Sequence, residues 1–342
     1  MILRRLTAQL LAGPPATGVV EVVDRLLAIQ AQDARGARLA IRARSRGLTA
    51  ADVDRCLSVD RSLVVSWLNR GTLHLVRRED YWWLHALTTP QLATGNARRL
   101  RQEGVGAKDA DRGVAEIERA LTEQGPLTRA QLRERVAAVG VRVEGQALVH
   151  ILVLASLLGL VVRGPVVGGE QAFVLVRDWL GSPPRLPDRD DALEMLARRY
   201  LTGHGPANAQ DLARWAGLPL VDARRGLAIV ADDAAETDDG FVLRGMSRAR
   251  RLPAPRLLGA FDPLLLGWAS RAFVLPVDGG VVTSNGIFRP VALVGGRVVA
   301  TWTMPGGTVT LHPLQAVSAP ARRMLDREAA DLRRFLGLPS RS

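Results

Sequence analysis

The chain has 342 residues, of which 47% are hydrophobic and 23% charged, and 46 Lys and Arg face 34 Asp and Glu for a net charge of +12. That length allows two or three ordinary domains or a string of smaller ones, and the apolar content excludes a disordered tail. The basic excess favours a polyanionic partner, either nucleic acid or an acidic membrane surface.

At the N-terminus, Met1-Ile2-Leu3-Arg4-Arg5-Leu6 faintly resembles the start of a secretion signal, but Gln9 and Gly13-Pro14-Pro15 cut its apolar run short. Residues 17–29 carry apolar side chains at 19, 20, 22, 23, 26, 27 and 29, the spacing of a helix with Thr17 as its N-cap. Gln30-Ala31-Gln32 follows at once. Residues at i and i+2 lie roughly 200° apart on a helix but on one side of an extended chain. If Gln30 and Gln32 act together, the chain must be leaving its helix here. Next come Asp33, suited to a cap or to pairing with Arg35 or Arg38, and an arginine-studded stretch through Arg46.

A repeat then emerges. Gly47-Leu48-Thr49, Gly125-Pro126-Leu127-Thr128 and Gly205-Pro206-Ala207-Asn208 each lead into a short helix. Thr49, Thr128 and Asn208 suit N-caps, since their side-chain oxygens accept from free N–H groups of the first turn. A helix precedes each copy (17–29, 113–124, 189–202) and another is expected after it (61–69, 144–158, 219–230). Strand-like residues come next, at 72–76, at 160–162 with 172–176, and at 241–243. Helix, turn, helix, helix, hairpin is the layout of a winged helix, and three copies make a tandem array. The apolar 147–162 stretch is broken by His150, Ser156 and Gly159 and is shorter than the ~20 residues of a membrane span. Its third helix is too apolar to face DNA.

A basic, proline-containing linker, 244–256, separates the array from short strands at 271–275, 281–283, 288–294, 298–302 and 309–311. Turns are expected at Asp278-Gly279-Gly280, Ser284-Asn285-Gly286 and Gly295-Gly296. The period change predicts a small antiparallel sheet or barrel, closed by an amphipathic helix at 320–336 with Met324, Leu325, Leu332, Phe335 and Leu336 on its apolar side. The fold class is α+β: three tandem winged-helix units, then a small antiparallel β-barrel-like domain and a closing helix. The domains expected are 1–104, 110–182, 188–245 and 256–337.

Cys56, the only cysteine, excludes an intramolecular disulfide and a thiolate metal cluster, and the five scattered histidines have no metal-ligand spacing. No metal or cofactor is expected. Arg70 and His74 bracket the first wing, where they either touch DNA or pack the domain. Tyr81, Trp82 and Trp83 read as core. Asp262 in Phe261-Asp262-Pro263 is a turn former with a possible supporting role at a site. The hairpin around Asn285, flanked by Arg271 and Arg289, is shaped to reach a groove.

Gln30-Ala31-Gln32, Arg70-Gly71-Thr72-Leu73-His74-Leu75-Val76, the Gly-Pro helix starts, Ala260-Phe261-Asp262-Pro263-Leu264-Leu265-Leu266-Gly267-Trp268, Gly296-Arg297-Val298-Val299-Ala300-Thr301-Trp302 and Phe335-Leu336-Gly337 occur in an order that resembles the winged-helix alkylpurine DNA glycosylases, from about Leu6 to Gly337. That family includes bacterial enzymes that unhook DNA interstrand crosslinks or excise bulky natural-product adducts. The resemblance implies a concave DNA-binding surface and a catalytic motif of Gln, an apolar residue, then Gln or Asp, which maps onto Gln30, Ala31 and Gln32. Gln in the third position is similar to the crosslink-unhooking and self-resistance branch.

The chemistry is consistent with it. Cleavage of a glycosidic bond passes through a cation-like transition state. A purine alkylated at N7 or N3 is already cationic and leaves readily, so two amides that hold water and stabilise charge suffice. Lys108, the only lysine, falls in an expected linker at 104–108, which argues against a Schiff-base lyase and for a monofunctional enzyme that leaves an abasic site. The expectation is therefore a cytoplasmic, monomeric DNA glycosylase acting on alkylated purines in double-stranded DNA. Its catalytic residues are Gln30 and Gln32, its DNA contacts are Arg35, Arg38, Arg70, His74, Arg271, Asn285 and Arg289, and Asp33 and Asp262 support it. The alternative is a non-catalytic winged-helix DNA-binding protein.

Overall fold

A computed structural model describes residues 1–246, 249–275 and 280–339. Asp278 and Gly279 of the turn expected at Asp278-Gly279-Gly280, and the linker residues Ser247 and Arg248, lie outside the described residues. The chain forms two compact units, Met1–Val53 with Asp190–Ser342, and Asp54–Arg189. The partition falls within helix Ala50–Ser58. Both units mix helices with antiparallel sheet, and no described helix is long and apolar enough to cross a membrane.

In the 54–189 unit, helices Ala107–Gln124, Arg129–Ala138 and Ala147–Leu157 precede the hairpin Val161–Val167/Glu170–Leu175. Thr128 caps the second helix by accepting from Gln131 N, while Gln131 returns the bond. Ile117, Leu132, Val136, Ile151 and Phe173 are buried together. Helix Ala147–Leu157 turns Leu148, Ile151, Leu152 and Ala155 into that core, as its apolar sequence demands. Of the three aromatics read as core, Tyr81 and Trp83 are buried and Trp82 is half-buried.

Three expectations here need correcting. Residues 61–69 are not helical: Leu63–Leu68 is a strand, paired antiparallel with Thr72–Arg77. Leu63-Val64-Val65-Ser66-Trp67-Leu68 is rich in β-branched and aromatic residues and buried on both faces, a pattern that periodicity alone does not separate from a buried helix. This strand also pairs with Val161–Val167, so two wings expected to be separate share a sheet. Lys108 lies in the first turn of helix Ala107–Gln124 rather than in a linker.

In the other unit, helices Arg189–His204, Ala209–Ala216 and Leu220–Ile229 lead to the hairpin Ala234–Thr237/Gly240–Leu243, with Asn208 capping the second helix. Beyond it, the strand order Thr310–Pro313, Arg297–Thr303, Val291–Val294, Arg256–Leu258 makes an antiparallel sheet. Helix Ala319–Phe335 buries Leu325, Leu332 and Phe335, whereas Met324 is exposed. Residues 271–275 form a turn rather than a strand, and 281–289 form a hairpin held by a bridge between Val282 and Phe288.

Candidate active site

Helix Val19–Leu26 is only eight residues long. Leu27 takes φ 64° and ψ −50°, and Ala28 N–H donates to Leu26 O at 2.8 Å. This is a γ-turn of the rare, strained hand. Such a backbone costs on the order of 1–3 kcal/mol and persists only where its surroundings over-determine it. Here Leu26, Leu27 and Ile29 are all fully buried, which supplies stabilisation of the same order. The turn throws the chain into the extended segment Ile29–Gln30.

In that segment the two glutamines meet. Gln30 Nε2 donates to Gln32 Oε1 at 2.9 Å. Gln30 is buried, Gln32 exposed. The bond fixes the amide of Gln30 against that of Gln32, so a buried member positions one that meets solvent. The geometry agrees with the extended conformation that the i, i+2 spacing requires.

Asp33 ends the segment by capping helix Ala34–Arg44, its Oδ1 accepting from Gly36 N. The sequence pattern marks no element over 34–44. Its arginines concealed a helix whose inner face is Ala37, Leu39, Ala40 and Ile41. Gly36 lies where a Cβ would come within 2.4 Å of Ala260 O, and a Cβ on Gly259 would sit 2.9 Å from Leu39 Cβ. The helix after the glutamines therefore rests directly on the 259–260 backbone. Arg44 fastens the same contact from the far end of the helix, pairing with Asp262 through two bonds of 2.8 and 2.9 Å while donating to Gln9 Oε1. Arg42 does likewise with Glu328, Asp331 and Leu257 O. Asp262 also caps helix Pro263–Leu266 through Leu264 N.

The remaining candidates divide. Arg35 is exposed beside Met304 Sδ, and Arg38 is half-buried and bonded to Ala34 O. Asn285 and Arg289 are exposed on the 281–289 hairpin, whose turn is closed by Gly286 N to Thr283 O. Arg271 is half-buried, donates to Leu265 O and lies 4.7 Å over the Phe288 ring. In the other unit, Arg70 is half-buried and His74 is 2% exposed, with Nδ1 against Thr72 O. Burial, reinforced by the charge of Arg70, depresses the His74 pKa to about 3, so its imidazole is neutral and offers no charge to a phosphate. Among the described residues no group of His, Cys, Asp and Glu could hold a metal ion.

Sequence reasoning missed the fastening of helix Ala34–Arg44. A pair 218 residues apart leaves no local signal; only Gly36, in the first turn of the helix, hinted at a close approach.

A profile of the AlkZ-like DNA glycosylase family matches residues 23–335. A relative from Streptomyces sahachiroi named as an interstrand DNA cross-link repair glycosylase is 27% identical over 357 residues, spanning 98% of this chain and 95% of the relative. The solved structure of the Streptomyces sahachiroi DNA glycosylase AlkZ matches with a TM-score of 0.77 at 26% identity, covering 98% of this chain and 96% of that one.

Proposed function

This chain belongs to the AlkZ-like DNA glycosylase family, and on that premise we propose that it hydrolyses the N-glycosidic bond of N7- or N3-alkylated purines in duplex DNA, bulky and crosslinked adducts included, and leaves an abasic site. The observation that carries the reading is the hydrogen bond from Gln30 Nε2 to Gln32 Oε1. It makes one unit of two groups that neither donate nor accept a proton near neutral pH.

Such a pair suits a cationic leaving base. As the bond from C1′ to the base nitrogen breaks, the electron pair goes to the base and neutralises it, and the sugar becomes cationic. Amide carbonyl dipoles stabilise that sugar and accept a hydrogen bond from the attacking water, whose proton then passes to solvent. A neutral base would need an acid that the pair does not supply. Asp33 is committed to capping Gly36, so it serves the site by holding the segment that carries the glutamines, and Asp262 serves it through Arg44.

Arg35, Arg38, Arg271, Asn285 and Arg289 are the DNA contacts we assign to the unit that carries the glutamines, with Arg70 contributing from the other. His74 acts there by packing rather than charge. We read the helix–helix–helix–hairpin runs as winged helices, the 256–337 region as the barrel-like domain, and the protein as a monomeric cytoplasmic enzyme. It is monofunctional: Lys108, the only lysine, lies on the first turn of an ordinary amphipathic helix.

The test is release of N7-methylguanine from methylated duplex DNA by the wild type and by Gln30→Ala and Gln32→Ala. The variants are expected to lose release and keep DNA affinity. Full release by both would remove the glutamines from the reaction.

A further inference from the structure

We infer that Phe261 is a specificity-determining residue of this site, its ring a stacking face for the alkylated base; the inference rests on the glycosylase reading. Phe261 takes φ 55°, a conformation that bulky side chains rarely adopt. Both of its flanks are held. Before it, Ala260 O abuts the first turn of the helix that starts directly after Gln32-Asp33; a Cβ on Gly36 would be 2.4 Å from that oxygen and 3.3 Å from Asp33 Oδ1. After it, Asp262 is locked by Arg44 with both side chains fully buried. The backbone of Phe261 is thus held in its strained form beside the end of the glutamine segment.

The ring is backed on one side. Phe261 N–H donates to Phe288 O at 3.3 Å, and the two rings lie 6.0 Å apart at 47°. Phe288 is itself buried and covered by Arg271. Phe261 itself is half-buried, so part of it still meets solvent. An aromatic that is held in a strained conformation, braced from behind and still open to solvent fits a planar ligand. A purine is planar, and one alkylated at N7 or N3 carries positive charge that an aromatic face attracts. The base stays planar from bound substrate to transition state, so stacking holds both alike, and its loss acts on KM rather than kcat.

Phe261→Asn removes the ring without a backbone penalty, because Asn tolerates the left-handed region. Phe261→Tyr keeps the ring. With a duplex carrying one N7-methylguanine as probe, Phe261→Asn is expected to raise KM about ten-fold at nearly unchanged kcat. Phe261→Tyr is expected to match wild type, and binding to unmodified duplex to stay the same in both. An unchanged KM in Phe261→Asn, or an equal loss in Asn and Tyr variants, overturns the inference. If the wild type releases nothing, the glycosylase reading fails instead. Binding titration then decides separately: Phe261→Asn must lose the wild-type preference for methylated over unmodified duplex, and an intact or absent wild-type preference overturns the stacking role.

Discussion

Arg44 and Asp262, 218 residues apart in sequence, form a bidentate ion pair with neither side chain exposed. It joins the far end of the helix after the glutamines to the turn that carries Phe261. Truncating one member of a buried pair leaves the other charge unpaired, at a cost of roughly 3–5 kcal/mol. Asp262→Ala is therefore expected to lower stability by that amount in urea unfolding and to reduce base release. A loss below about 1 kcal/mol would show that the pair does not fasten the helix.

Gly36→Ala tests the same contact more locally. The added methyl meets Ala260 O at 2.4 Å, and overpacking of this kind costs roughly 1–3 kcal/mol. The melting temperature is expected to fall, and release with it, since the helix that starts at Asp33 must shift. An unchanged melting temperature would mean that the two backbones are not in contact.

Acid sensitivity follows from two buried histidines. Burial depresses His74 and His204 to about 3 each, against roughly 6.5 in the unfolded chain. Between those values the unfolded state binds protons that the folded state refuses, so stability falls as pH drops from about 6.5 towards 3. Each histidine contributes a slope of about 1.4 kcal/mol per pH unit in that window. His204 lies against Tyr200, Trp215 and Trp268. His204→Gln is expected to flatten the unfolding curve of its own unit, as read by tryptophan fluorescence across the window. An equally steep wild-type and variant curve would assign acid sensitivity elsewhere.

Association with DNA is expected to weaken with salt, because neutralised phosphates release counterions and log affinity falls linearly with log salt. Arg35→Ala and Arg289→Ala, both at exposed positions, should each lower that slope by about one. A slope unchanged in both variants would place the DNA contacts on other residues.

What the chain disclosed about itself depended on the range of the interaction. Thr128 and Asn208 were recognisable as caps because a cap oxygen and the backbone N–H that donates to it lie three residues apart. The extended geometry at Gln30 and Gln32 was legible because an i, i+2 pair can face one way only on an extended chain. The strained turn at Leu27 that produces it was not, since nothing in Leu26-Leu27-Ala28 marks a positive φ. Leu63–Leu68 was misread because a doubly buried strand has no alternation. The helix at 34–44 was hidden because Arg42 and Arg44 point inward, toward Glu328, Asp331 and Asp262. Those partners lie in a distant part of the chain, so local pattern made buried arginines look like surface.

The central claim is that a pair of amides limits this site to bases that already carry positive charge. Single-turnover excision from two matched duplexes tests it most directly, one with N7-methylguanine and one with its neutral isostere 7-deaza-7-methylguanine. The prediction is binding of both at saturating protein, with release from the cationic duplex alone. Comparable release from both, or tight binding of both with release from neither, would contradict it.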